Sequence, residues 1–185
     1  MYKICISEDS AQRQRELEKK FLSVLISHPY DELSVSDLCR HLGISRKSFY
    51  RYFSGKEGAL TALLDHTLME FDYAGADEDN ILPPEMLKYT FEFWENQNTL
   101  LDILARDGLS MQLYQRSLEV FSGKPTFFSR LIPHQPSLLH EQRLRFVICG
   151  MMTIIISWHH CGYQPPISQM VQTTERLLTQ PLIQR

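Results

Sequence analysis

No stretch of this 185-residue chain carries a targeting, catalytic or metal-binding signature, and each absence removes a class of function. The four cysteines, Cys5, Cys39, Cys149 and Cys161, show no C-x-x-C spacing, and three fall in or beside apolar stretches. Reduced thiols in a reducing cytoplasm fit that pattern better than a disulfide framework. The opening MYKICISEDS is too short and too polar for a signal peptide, so a cytoplasmic location is expected. No internal repeat or low-complexity tract is evident. Neither a Ser/His/Asp set nor a glycine-rich phosphate loop is recognisable, so the chain is not expected to be an enzyme. The apolar run from Phe146 to Trp158 is shorter than the ~20 residues of a membrane span, and Arg143 and Arg145 interrupt its approach. His159-His160-Cys161 resembles a ligand cluster, but three consecutive helical residues point about 100° apart and cannot converge on one ion. No metal, cofactor or membrane partner is expected.

What is present has the balance of an ordinary soluble protein, 43% hydrophobic and 22% charged. A net charge of −3 argues against a general nucleic-acid coater. The charge is unevenly placed. Residues 1–60 hold 10 Lys and Arg against 8 Asp and Glu; residues 61–185 hold 9 against 14. A mildly basic head on an acidic body suits a protein that puts one end on DNA and keeps the other off it.

The head contains the most informative stretch, SVSDLCRHLGISRKSFYRYFSGK from Ser34 to Lys56. Ser34 and Asp37 have capping-box spacing, in which each side chain satisfies a free backbone N–H of a helix start. Val35, Leu38, Cys39 and Leu42 then recur at helical spacing. Gly43 stands where that helix must end, because glycine takes the left-handed conformation without a Cβ clash. Ser45 caps a second helix running through Phe53, with Phe49 and Phe53 facing inward. Arg46, Lys47 and Ser48 occupy its first turn, while Tyr50, Arg51 and Tyr52 are expected on its other surfaces. Helix, glycine turn and helix make a helix-turn-helix, whose second member lies in a DNA major groove with its N-terminal residues at the base edges. Arginine reads guanine through O6 and N7 together, and tyrosine hydroxyls and guanidinium groups meet phosphates. Ser54 to Glu57 has a second S-x-x-E spacing, which starts a third helix and places Lys56 at its mouth.

Gly43-Ile44-Ser45, then Phe49-Tyr50-Arg51-Tyr52-Phe53, then Lys56-Glu57 and Leu60, resemble the DNA-binding domain of TetR-type transcriptional regulators. That family's usual run is G-V-S-x-x-x-L-Y-x-H-F-x-x-K-E-x-L, preceded by T-V-x-x-I-A, on which Ser34-Val35 and Leu38 fall. The resemblance covers about residues 12–72. It implies base contacts from Arg46, Lys47, Ser48 and Tyr50, and phosphate contacts from Ser36, Tyr50, Tyr52 and Lys56. Departures are Tyr52 for the commoner histidine, Cys39 for alanine, and His28-Pro29 where a glycine is usual.

Elsewhere the periodicity predicts helices only, hence an all-α fold. A first helix over 10–27 carries Leu17, Phe21, Val24 and Leu25 inward and ends at His28-Pro29. A connecting helix over 58–73 has Leu60, Leu63, Leu64, Thr67, Leu68 and Phe71 at helical spacing. The domain boundary is set inside it: residues 1–68 as the DNA-binding head and 69–185 as a regulatory and dimerisation body. Further helices are expected over 85–95, 100–107, 109–121, 138–160 and 167–179, with one short helical turn between Pro125 and Pro136.

Residues 146–158 are apolar nearly all round, and a helix of that kind needs partners on every side. Paired with the stripe of the last helix and with a second copy, it would form a four-helix bundle across a twofold axis, as the resembled family does. Met152, Ile155, Ile156 and His159, with Met170, Val171, Thr174, Leu177 and Leu178, are expected at that seam. The body also reads as rich in interior Met and aromatic residues, among them Met69 and Trp158. The resemblance implies an effector cavity there, lined by Phe71, Phe93, Trp94, Met111, Tyr114 and Met151, for a small apolar or aromatic molecule. Together these readings describe a homodimeric repressor that binds a palindromic operator in double-stranded DNA and leaves it when an effector binds. A helical protein-interaction co-regulator with the same fold and no effector is the second reading.

Overall fold

A computed structural model describes residues 2, 5, 7–74, 83–122, 126–131 and 138–180. Its helices are α1 (Glu8–Ser27), α2 (Val35–Leu42), α3 (Arg46–Tyr52), α4 (Lys56–Ala74), α5 (Pro83–Asn96), α6 (Asn98–Arg106), α7 (Ser110–Phe121), α8 (Leu138–His160) and α9 (Ile167–Thr179). Short 3-10 turns occupy Tyr30–Glu32 and Phe127–Leu131. Among the described residues there is no β-strand, only an isolated bridge between Tyr2 and Phe53. The fold is all-α. Two compact units divide the chain: Met1–Leu68 with Asp102–Arg116, and Met69–Leu101 with Ser117–Arg185.

In the first unit, each helix boundary has a local cause. Ser7 caps α1 through the Ser10 N–H, and Glu8 and Asp9 complement the positive end of the helix dipole. Ser34 and Asp37 form the complete capping box of α2. Gly43 has φ +66° and hands its N–H back to the helix, while the Ile44 N–H donates to Cys39 O at 3.0 Å. Ser45 then accepts from the Ser48 N–H at 3.1 Å and opens α3. Leu17, Phe21 and Leu25 of α1 are buried, as are Leu38, Cys39 and Leu42 of α2 and Phe49 of α3 with Phe53 beyond it.

Polar groups lie under this apolar layer. Gln14, buried on α1, donates to Tyr52 O at the end of α3. Glu18, also buried on α1, sits 2.8 Å from His66 Nδ1 on α4. Next to His66, the buried Asp65 receives Arg116 from α7, with Nε at 2.5 Å from Oδ1 and Nη2 at 2.7 Å from Oδ2. Tyr2 covers His66 edge-on, with ring centroids 5.1 Å apart.

Helix α1 has no basic residue in its last turn. Its free C-terminal carbonyls are satisfied instead by Arg106, which donates to Leu25 O at 2.7 Å and Ile26 O at 3.1 Å. Asp107 orients that guanidinium and accepts the Tyr30 N–H at 2.9 Å.

The second unit is built on aromatic packing and on α8. Leu144, Val147, Ile148, Met151, Met152, Ile155 and Trp158 are buried at helical spacing along one side of α8. Phe91 of α5 meets Trp158 with centroids 5.2 Å apart, and α9 packs along α5 with Thr174 buried. Several expectations are corrected here. Met152, Ile155 and Thr174, placed in a dimer seam by the sequence, are enclosed by their own protomer. The reason is register: the apolar run of α8 has a buried side and an outer side, and these residues fall on the buried one. Met69, read as interior, is exposed, and so is Met111 at 62%.

Candidate nucleic-acid interface

The caps and the glycine turn hold α2 and α3 so that their exposed side chains share a surface. Arg46 Nη1 on α3 donates to Ser36 Oγ on α2 at 3.3 Å, bringing together two expected contacts ten positions apart in sequence. Lys47 and Arg51 are exposed beyond it, Tyr50 is 40% exposed, and the cap residue Ser45 is exposed. Ser48 is half-buried and takes the Ser45 hydroxyl at 3.0 Å. The first turn of α3 contains no acidic residue. Carboxylates are the usual companions of that end of a helix, so cations there forgo a small local stabilisation, about 0.3–1 kcal/mol. Such a surface offers an anionic polymer guanidinium forks, an ammonium and hydroxyls, the donor set that base edges and phosphates accept.

Two expected contacts are placed differently. Tyr52, read as outward-facing, is only 8% exposed. It lies three residues after Phe49 and next to Phe53, so on a helix it shares their inner face, and its ring centroid stands 6.3 Å from that of Phe53. Lys56 is half-buried: its Nζ donates to Tyr30 O at 2.9 Å and stands 4.3 Å over the Tyr30 ring. Much of its hydrogen-bonding capacity goes to tying the start of α4 to the turn after α1.

Electrostatics around the site follow from local geometry. The Ser34 hydroxyl and backbone N–H, with Arg40, hold the Asp37 carboxyl below its usual range. Burial pushes the Cys39 thiol up, which makes it a packing group rather than a reactive one. Sequence reading missed the polar fastenings of this unit, Glu18 with His66, Asp65 with Arg116, and Arg106 on the end of α1. A signal existed for the first: Gln14, Glu18, Phe21 and Leu25 recur at helical spacing, placing two polar residues on the apolar stripe of α1.

The residues expected around an effector fall in both units. Phe71, Phe93, Trp94 and Met151 belong to the second unit, whereas Met111 and Tyr114 belong to the first. Phe71 is the hub of a ring cluster: centroids of Tyr89, Phe93, Trp94, Phe121, Phe127 and Phe128 lie 4.9–6.2 Å from its own. Tyr89 donates its hydroxyl to Phe71 O at 3.0 Å, and Asp72 accepts the Phe127 N–H at 2.6 Å. Met151 is buried on α8. Of the residues expected at a dimer seam, Ile156, His159, Met170 and Val171 are half-buried, and Leu177 and Leu178 are exposed. Among the described residues no three His, Cys, Asp or Glu side chains converge as a metal site, and no helix is long and apolar enough to cross a membrane.

Comparison with known proteins agrees with this geometry. Residues 22–63 match the family described as "Bacterial regulatory proteins, tetR family". The HTH-type transcriptional regulator EthR of Mycobacterium tuberculosis is 42% identical over 52 residues, which cover 28% of this chain and 24% of that protein. The HTH-type dhaKLM operon transcriptional activator DhaS of Lactococcus lactis is 30% identical over 84 residues, 43% of each chain. The matched region thus spans less than half the length of these curated relatives. Over nearly the whole chain the fold is that of a TetR-family transcriptional regulator from Syntrophomonas wolfei, with a TM-score of 0.67 at 17% identity, covering 95% of this chain and 100% of that one. The fatty acid degradation regulator FadR of Bacillus halodurans is similar in fold, with a TM-score of 0.65 at 16% identity, covering 93% and 97%. The cap, glycine turn, cap sequence of the head and these matches carry one conclusion: residues 22–63, which hold this helix-turn-helix, are similar to the tetR family of bacterial regulatory proteins, and the chain shares the fold of the two solved structures.

Proposed function

We propose that this protein is a tetR-type transcriptional regulator, a homodimeric repressor of a palindromic operator, relieved by a small molecule bound in its second unit. The observation that carries the DNA-binding part is the shared surface of α2 and α3, where Ser36 meets Arg46 beside exposed Lys47, Tyr50 and Arg51. Arg46 reads a base edge, and Lys47 and Arg51 neutralise phosphates. Ser36, Ser45 and Tyr50 offer hydroxyls, and Lys56 holds the scaffold and reaches the backbone only with charge left over from Tyr30.

One helix-turn-helix reads only a few base pairs, so a second copy is needed to place another about one helical turn or more away. The seam between copies uses what the protomer leaves outside: Phe146 on α8, with Leu177 and Leu178 on α9, flanked by Ile156, His159, Met170 and Val171. Residues 1–68 act as the reading head and 69–185 as the regulatory and dimerisation body, in the cytoplasm. An effector shifts the equilibrium between DNA-bound and free states only by its difference in affinity for the two.

Gel-shift titration against the DNA upstream of the chain's own gene tests this reading. Arg46→Ala should cost about 1–3 kcal/mol and relax preference at one base position. Lys47→Ala should weaken all sequences alike and lower the salt slope by about one. Binding that is absent, or that both substitutions weaken identically, contradicts it.

A further inference from the structure

The ring cluster of the second unit contains a polar atom without a partner among the described residues. Trp94 is 0% exposed, and its Nε1–H has no hydrogen-bond acceptor among the described residues. The chain's other tryptophan shows the ordinary solution: Trp158 Nε1 donates to Pro165 O at 2.7 Å. Indole nitrogen is a donor only, and a buried donor without an acceptor carries its full desolvation cost, so such a group calls for an explanation. Ser122 Oγ and Thr126 Oγ1, next in sequence to Phe121 and Phe127 of the same cluster, are also buried without a partner among the described residues.

The surroundings restrict what could satisfy Trp94. Phe71 and Phe93 stand with ring centroids 6.2 and 5.6 Å from its own, in direct packing contact, so a flat apolar body is the kind of group that could replace a ring beside Trp94. Asp72 and Glu70 lie near enough to add to burial in holding the Tyr89 hydroxyl protonated, and an anion would meet the same repulsion. A neutral acceptor is therefore favoured over a carboxylate. Phe71 is the only ring of the cluster carried by α4, the helix that begins at Lys56.

We propose that the Trp94 N–H is the polar anchor of the effector site, and that its ligand is a neutral, flat, apolar compound with one carbonyl-type acceptor, taking the place that the Phe71 ring fills in its absence. The assignment rests on the ligand-responsive reading given above and adds the chemistry of the ligand. Aryl ketones and neutral aryl esters or amides have the required form: a planar apolar body for the rings and a single oxygen for the indole N–H.

Acetophenone and ethylbenzene, each a benzene ring with a two-carbon substituent but only the first with a carbonyl oxygen, test the anchor by calorimetric titration of the full-length protein. The wild type should bind acetophenone about tenfold more tightly than ethylbenzene, the ratio expected for one neutral hydrogen bond. In Trp94→Phe the preference for the ketone should vanish or turn toward ethylbenzene, because the ketone oxygen would then be buried without a donor. A second variant, Phe71→Ala, vacates the ring's place and should tighten both probes while keeping the preference for the ketone. The anchor is overturned if neither probe binds the wild type at millimolar concentration, if the wild type shows no preference, or if the preference survives in Trp94→Phe. A gel-shift with the upstream DNA, run with each probe, separates the two ideas. A Trp94-dependent preference without DNA release removes the ligand-responsive reading and leaves the anchor. Release that ignores the Trp94 substitution removes the anchor and leaves the reading.

Discussion

Replacing Glu18 by glutamine should make the protein more stable at neutral and alkaline pH, although it removes a buried charge from an apparent ion pair. Glu18 is buried on α1, with His66 Nδ1 at 2.8 Å and Arg15 Nη1 at 3.4 Å. Burial, the largest influence, raises its carboxyl from the usual 4.5 to about 7; Arg15 opposes this and the Asp65 carboxylate adds to it. The contact with His66 admits two placements of one proton, a carboxylic acid donating to a neutral ring or an imidazolium donating to a carboxylate. We favour the first because desolvation penalises both charges and the one exposed cation, Arg15, reaches Glu18 only at its edge.

The sign follows from linkage. A carboxyl whose pKa is higher in the folded state than in the unfolded chain contributes stability that is fully present below about 4.5. That contribution is lost as pH rises through about 7. The shift corresponds to roughly 3 kcal/mol, an order-of-magnitude figure. Glutamine keeps the shape and stays neutral, so Glu18→Gln should match the wild type near pH 4.5 and gain on it steadily to pH 8, by up to about 3 kcal/mol. Urea unfolding followed by circular dichroism at pH 5, 6, 7 and 8 gives the difference directly, provided the slopes of the two proteins agree. A variant that loses ground to the wild type as pH falls toward 5, or is weaker at every pH, would show that an imidazolium holds the carboxylate, and the reasoning above would fail.

Two further substitutions probe how the first unit is held. Asp65→Asn should destabilise by about 3 kcal/mol in the same assay, the lower end for breaking a buried pair, because Arg116 keeps 23% of its side chain in solvent; a change under 1 kcal/mol would mean the pair is no more than a surface contact. Gly43→Ala should cost about 1–2 kcal/mol although no atom lies within 4 Å of the added Cβ, since the penalty comes from φ +66° and not from crowding; a neutral result in thermal melts would show that the turn relaxes out of the left-handed region.

What the sequence disclosed and what it hid divide by the distance over which each interaction acts. The capping box of Ser34 and Asp37, the left-handed Gly43 and the ends of α8 and α9 are set by neighbours within a few residues, and all were legible. The inward turn of Tyr52 was equally local and was misread: its spacing of three from Phe49 puts it on the same helical face. Arg106 on the carbonyls of Leu25 and Ile26, Arg116 on Asp65 and His66 on Glu18 join positions 48 to 81 residues apart. No spacing rule announces them. In each case a polar group was left over by one helix and satisfied by another, which only tertiary structure reveals. That is why the capped helix, glycine turn and helix of α2 and α3 could be assembled from the sequence while the fastening of Asp102–Arg116 into the same unit could not.

Helix α8 shows why apolar content alone does not separate a core from an interface. Its run from Phe146 to Trp158 suggested partners on every side, yet the residues at 144, 147, 148, 151, 152, 155 and 158 repeat at helical spacing and are all buried in one protomer. The opposite side begins with Leu139 and Phe146, the latter 66% exposed, and continues through Thr153 and Ser157, so its exposed apolar residues lie in the first half of the helix, with Ile154 and Ile156 only half-buried beyond them. A second copy seated on α8 would therefore gain most from Phe146, and from the exposed Leu177 and Leu178 of α9. It would gain nothing from Met152 or Ile155, whose apolar surface has already left water within the protomer. The hydrophobic driving force counts each area once, so the seam proposed here must be narrower, and nearer the start of α8, than the composition of that helix implies.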